Sequence, residues 1–171
     1  MTKRLLIVLA ALVATPISAQ AQEPLVQSLR GLFDVTKRTI MATAEDLDER
    51  MYAYRPTDEV RNAGQILAHI ADWHFIFCSA ASAESNPHPE SFEETATTKP
   101  AIMRALQQGF AYCEGVFDRT TDRTAAQPVQ FFGGPNTTGG VLAFAAAHNY
   151  EHYGNLVTYM RINGIVPPSS R

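Results

Sequence analysis

His148 and His152 lie four positions apart in a stretch without helix breakers. On a helix they share one face, with Cβ atoms about 5–6 Å apart. Val141, Ala145, Leu156 and Tyr159 fall on the same face, so two imidazoles stand inside an apolar stripe. Burying a polar ring without a partner costs about 1–3 kcal/mol. One divalent metal ion satisfies both rings at once, and neutral imidazole is the commonest metal ligand in proteins. The alternative, two core histidines satisfied by tyrosine or backbone groups, stays open at this point. Two ligands hold an ion poorly, so a third is expected from another helix. His69 and His74 both occur in one apolar segment. On a helical wheel His74 lies nearer the centre of the stripe, while His69 lies toward its edge beside Ile66 and Trp73. Periodicity therefore leans to His74. His88, between Pro87 and Pro89, is expected in solvent.

The string His148-Asn149-Tyr150-Glu151-His152 matches the H-x-x-E-H pattern of inverted zinc peptidases. Those enzymes need a further acidic ligand downstream, and no Asp or Glu follows Glu151. A peptidase of that class is excluded. Glu151 and Asp72 are the acid–base candidates beside a metal, each with a solvated-carboxylate alternative. There is no G-x-S-x-G elbow and no phosphate loop. The pairs Gly133-Gly134 and Gly139-Gly140 read as turns.

Four segments must position these residues, and all read as helix. Leu25, Leu29, Leu32, Phe33, Thr36, Ile40 and Ala44 recur at helical spacing between Leu25 and Asp48, with Pro24 suited to the first turn. Arg50 to Arg61 is a connector. The second helix starts at Asn62, where Asn62 and Gln65 are spaced like a capping box. It buries Ile66, Ile70, Trp73, Phe77 and Ala81, and ends before Asn86-Pro87. The third starts at Lys99-Pro100 and carries Ile102, Leu106, Phe110, Cys113 and Phe117 on one face. Thr120 to Gly140 is a connector without an expected strand. The fourth helix runs from Val141 to Asn163, with Gly164 placed as a left-handed terminator before Pro167-Pro168. Four such helices make an all-α four-helix bundle. The connector between helices two and three is about 15 residues, against about 2–8 for a plain antiparallel hairpin. A crossover is expected there, giving an up-down-down-up order with helices two and three parallel. Cys78 and Cys113 then fall at the same height, since each helical residue rises about 1.5 Å, and a disulfide between them is expected.

The N-terminus reads as an export signal over residues 1–21. Lys3 and Arg4 precede an apolar run from Leu5 to Ala14, and Ala19-Gln20-Ala21 suits cleavage before Gln22. The run is short of the roughly 20 apolar residues a membrane span takes. The remaining domain, residues 22–171, is expected in the periplasm without stable membrane insertion. Of the 14 basic residues, 12 remain after Lys3 and Arg4, against 17 acidic ones. The net charge near −5 and the lack of a basic run exclude nucleic acid as a partner.

Two further segments carry a resemblance. Tyr54-Arg55-Pro56, followed by Gly64-Gln65-Ile66-Leu67-Ala68-His69-Ile70, resembles the approach to helix two in DinB/YfiT-like proteins. His148 through Gly154, then Tyr159 through Pro168, is similar to that family's last helix and tail. The resemblance covers essentially the whole mature chain. It implies a four-helix bundle with parallel second and third helices. It also implies a metal site of His69, His148 and His152, so it selects His69 against the wheel's preference for His74. It does not imply the DNA polymerase that shares the name: the chain lacks an acidic catalytic cluster and a basic groove, and carries an export signal. The family includes thiol S-transferases that use cytosolic thiols, a setting from which the export signal departs. Three histidine ligands leave a coordination position open. Zinc is the default ion, and nickel, iron and copper also accept imidazole. The functions implied are a metal-dependent hydrolase or transferase with a small-molecule substrate, a non-enzymatic metal-binding or stress-related envelope protein, or a plain structural bundle. A homodimer is compatible with each.

Overall fold

Apolar residues recurring every third or fourth position make the first long helix. α1 (Pro24–Asp46) has Pro24 in its first turn and buries Phe33, Thr36, Ile40 and Ala44 along one line. The computed structural model describes residues 23–171; the expected signal segment and its cleavage point lie outside the described residues. A single-turn helix α2 (Glu49–Tyr52) follows, capped by the Asp48 side chain. α3 (Ala63–Ser82) opens on the expected capping box. The Asn62 side chain accepts from the Gln65 amide at 2.7 Å, and the Gln65 side chain accepts from the Asn62 amide at 3.0 Å. It closes at Ala83, in the left-handed region at φ 55°, a few residues before the Asn86-Pro87 stop. α4 (Phe92–Thr95) lies within the connector, and α5 (Lys99–Arg119) begins at the expected Lys99-Pro100. α6 (Asp122–Ala125) is one turn.

The next segment departs from expectation. β1 (Pro128–Phe131) and β2 (Gly134–Thr137) form an antiparallel hairpin where no strand was expected. Its two-residue turn, Phe132-Gly133, has positive φ at both positions, 50° and 74°, the requirement of the turn that matches strand twist. Four-residue strands containing Pro128 and Pro135 offer too little alternation to be read from the sequence. α7 (Thr138–Ile162) begins three residues earlier than expected. Gly139 and Gly140 therefore belong to its first turn, not to a loop. A Cβ on Gly139 would come within 3.1 Å of the Ala125 carbonyl oxygen, a tight approach that glycine avoids. Gly164, at φ 72°, follows the helix as expected.

The directions of the four long helices follow from which residues meet. Along α3 and α5, Gly64 meets Ile102, His74 meets Gly109, and Cys78 is bonded to Cys113. Both numbers rise together, so the helices are parallel. A Cβ on Gly109 would meet the Ala71 carbonyl and His74 at 3.1 Å, which shows how closely these two helices approach. Along α3 and α7, Ala81 meets Thr138, His74 meets Asn149, and His69 meets His152, an antiparallel pair. α1 runs against α5, with Arg30 on Asp118 and Lys37 on Glu114. It runs with α7, since its start meets α6 through Asp122, its middle meets Asn149 through Thr36, and Asp46 near its end meets Arg171. The order is the up-down-down-up arrangement with a crossover. The Cys78 and Cys113 Cα atoms are 5.3 Å apart, within bonding range. No helix among the described residues is long and apolar enough to cross a membrane.

Phe33, Phe77 and Phe110 are the largest rings of the core. A polar chain crosses it: His74 Nε2 donates to Asn149 Oδ1 at 3.0 Å, Asn149 Nδ2 donates to Thr36 Oγ at 3.1 Å, and Thr36 Oγ donates to the Phe33 carbonyl at 2.7 Å. His74 is fully buried, and burial pushes its pKa down to about 3, against a smaller opposing effect of Asn149. A histidine depressed in the folded state binds its proton more readily when unfolded. Its contribution to stability is complete above the ordinary histidine pKa of 6.5 and is lost as pH falls toward 3. The melting temperature of metal-free protein is therefore expected to fall steeply from pH 7 to pH 4. In His74→Gln that fall should be shallower, and an identical slope would contradict this account.

Candidate metal centre

α3 and α7 run antiparallel with His69 on one and His148 and His152 on the other. The ligating atoms of the three rings all lie within 4.8 Å of one another. His148 Nε2 and His152 Nε2 are 3.0 Å apart. Four-coordinate zinc with bonds of 2.0–2.1 Å places neighbouring nitrogens about 3.3–3.4 Å apart, so small side-chain adjustments suffice to close the three around one ion. His148 and His152 are 9% and 8% exposed. Their Nδ1 atoms are buried without a hydrogen-bond partner among the described residues. An ion at the point shared by the two Nε2 atoms accepts a lone pair from each ring, with the proton of each neutral imidazole then on Nδ1. The donor set, all nitrogen, suits a borderline divalent metal.

Burial first, and then the neighbouring histidines, push His148 down to about 3. Burial and His69 push His152 down to about 4. Burial and Arg61 lower His69 as well, against opposing effects of Glu93 and Asp72. All three rings are thus held in the neutral form that ligates metal.

The wheel's preference for His74 is overturned by position. His74 packs against Phe110 and Phe33 and pairs with Asn149, apart from the cluster. A wheel measures depth in the helix's own stripe and carries no information about which neighbour that stripe faces. His74 faces the centre of the bundle, and His69 faces the His148–His152 pair near its surface. His88 is not in free solvent either. It is half-buried, stacks on Phe92 with ring centroids 3.8 Å apart, and hydrogen-bonds through Nδ1 to the Glu90 carbonyl at 2.8 Å.

Two clefts flank the cluster. One, of about 300 Å³, is lined by His69, Asp72, Trp73, His88 and Glu93 among others. The other, of about 470 Å³, is lined by Glu151, His152, Asn155 and Tyr159. Arg61 and Glu93 line both. Glu151 is exposed at the second cleft. Asp72 borders the first but turns both oxygens to the start of α4, accepting from Ser91 Oγ and the Phe92 and Glu93 amides. Trp73 and Phe77 close the apolar side of His148, with centroids 5.5 and 5.1 Å from its ring.

Sequence reasoning missed Glu93 and Arg61. Glu93 Oε2 lies 3.0 Å from His69 Nδ1, and Arg61 Nε lies 2.7 Å from Glu93 Oε1. Burial alone would raise the Glu93 pKa, but Arg61 and His69 outweigh it and hold the carboxyl below its ordinary value. Ser91 and Glu94 have the spacing of a helix-start signal, which could have marked α4. Nothing in their spacing pointed at His69.

A parallel-crossover helical bundle with three histidines converging from two helices defines a class of fold and site. The family model for the DinB superfamily matches residues 32–156, and the chain belongs to that superfamily. The chain is 26% identical over 127 residues to YjoA of Bacillus subtilis (strain 168), covering 71% of this chain and 79% of that one. The crystal structure of the DinB-like YjoA superposes with a TM-score of 0.64 at 18% identity, covering 80% of this chain and 92% of that one. A DinB-like protein from Bacillus cereus ATCC 10987 gives a TM-score of 0.68 at 17% identity, covering 83% and 95%. These structural likenesses concern the fold.

Proposed function

We propose that this DinB-like protein is exported to the periplasm and binds one divalent metal ion, zinc by default, through His69, His148 and His152. There it acts as a metal-dependent hydrolase or transferase on a small molecule. The observation that carries the reading is the convergence of three neutral imidazoles from α3 and α7 between two clefts. A divalent ion so held supplies Lewis acidity and keeps a position open to water or substrate. Glu151 and Asp72 border the clefts on either side and are the candidates for proton transfer. Of the two, Glu151 is the better placed to act, since both Asp72 oxygens already accept hydrogen bonds. Export is supported by the layout of residues 1–21 and by the Cys78–Cys113 disulfide, which suits an oxidising compartment.

Calorimetric titration of zinc into metal-free protein tests the binding, with one ion per chain expected. The absence of binding heat at several temperatures would contradict it. Sequencing the N-terminus of native protein tests the export, with a first residue of Gln22 expected. A reading that starts at Met1 or Thr2 would refute cleavage there.

A further inference from the structure

His69 differs from its two partners in one respect. Its second ring nitrogen has a carboxylate partner, whereas His148 Nδ1 and His152 Nδ1 have none among the described residues. Glu93 is an acceptor at neutral pH, so at 3.0 Å it takes the proton of His69 Nδ1. That leaves Nε2 as the nitrogen with a free lone pair. Four contacts keep Glu93 and its short helix in place. Its backbone amide donates to Asp72 Oδ2 at 3.0 Å, one turn beyond His69 on the same helix. Asp72 also accepts from Ser91 Oγ at 2.9 Å and from the Phe92 amide at 2.6 Å, so one carboxylate satisfies the start of α4. The other Glu93 oxygen accepts from Arg61 Nε at 2.7 Å. α3 thus supplies a ligand candidate and, through Asp72, also anchors the short helix that orients it.

We propose that Glu93 is a positioning residue: held by Asp72 and Arg61, it sets the tautomer and orientation in which His69 can ligate metal. The inference rests on the metal-binding reading above. It follows the general pattern in which a ligating histidine gives its other N–H to a carboxylate, a contact whose loss typically costs 10–100-fold in metal affinity. The arrangement also makes the connector between α3 and α5 part of the site, although it carries no ligand itself.

The test combines two measurements on wild type, Glu93→Gln and Glu93→Ala. Long-range ¹H–¹⁵N correlation spectra of the metal-free proteins read the His69 tautomer, and zinc calorimetry reads affinity. Wild type is expected in the Nδ1–H form. Glu93→Gln, whose amide oxygen still accepts from Nδ1–H, should retain that form and lose less affinity. Glu93→Ala should move His69 toward the Nε2–H form and weaken zinc about 10–100-fold. Equal melting temperatures of metal-free wild type and Glu93→Ala would exclude unfolding as the cause. An unchanged tautomer and affinity in Glu93→Ala would overturn the proposal. A wild-type protein that takes up no zinc, while its His69 tautomer still responds to Glu93, would overturn the metal reading and leave the orientation of His69 standing.

Discussion

Replacing His148 by alanine is expected to abolish stoichiometric metal binding. His148 is one corner of the site: its Nε2 is 3.0 Å from His152 Nε2, and its ring centroid is 5.3 Å from that of His69. Without it the remaining pair must hold the ion alone. Loss of an outer partner typically costs 10–100-fold, so loss of a ligand should exceed about 100-fold. The fold should survive, because α7 has buried apolar anchors on both sides, at Leu142 and Ala145 and at Leu156 and Met160. Binding also stabilises the folded state, by about 2.7 kcal/mol when the ion is at 100 times its dissociation constant. Zinc should therefore raise the melting temperature of wild type and leave that of His148→Ala unmoved. Equal zinc-induced shifts in both would remove His148 from the site.

Reducing the Cys78–Cys113 bond is expected to cost about 3–4 kcal/mol on the loop-entropy account. The bond closes a sequence separation of 35 residues, which includes the connector that carries α4. For a domain of this size, each kcal/mol moves the melting temperature by about 2–4 °C, so the reduced protein should melt roughly 6–16 °C lower. Both cysteines are fully buried, so reduction requires unfolding in reductant followed by refolding. Differential scanning calorimetry of the oxidised and reduced proteins reads the difference. Coincident transitions would mean that the native packing of α3 on α5, not the bond, confines the chain.

The parts of this molecule that follow from spacing within one element were legible from the sequence. The pairing of His148 with His152 needs only the helical repeat. The cap at Asn62 and Gln65 is a local motif, and it forms. The disulfide and the parallel crossover were legible together because connector length and the two cysteine positions gave the same geometry, one that the contacts of α3 with α5 bear out. What depended on relations between elements was not legible. The choice of His69 over His74 turns on which neighbour each face of α3 meets. Hydrophobic depth favoured the wrong histidine, and only the family resemblance selected the one that joins the cluster. The hairpin at residues 128–137 rests on a turn with two positive φ angles, one of them at Phe132. Its strands are too short to show a pattern. Glu93 lies in a polar connector among Glu84, Glu90 and Glu94, and it is distinguished only because Asp72 anchors α4.

The most direct test of the three-histidine account is elemental analysis of untagged protein purified from its native host. The account predicts close to one equivalent of a divalent transition metal per chain, zinc first, retained through gel filtration and released by a chelator. Protein that is folded, disulfide-bonded and free of metal, and that takes up none on exposure to zinc, nickel, iron or copper, would contradict it.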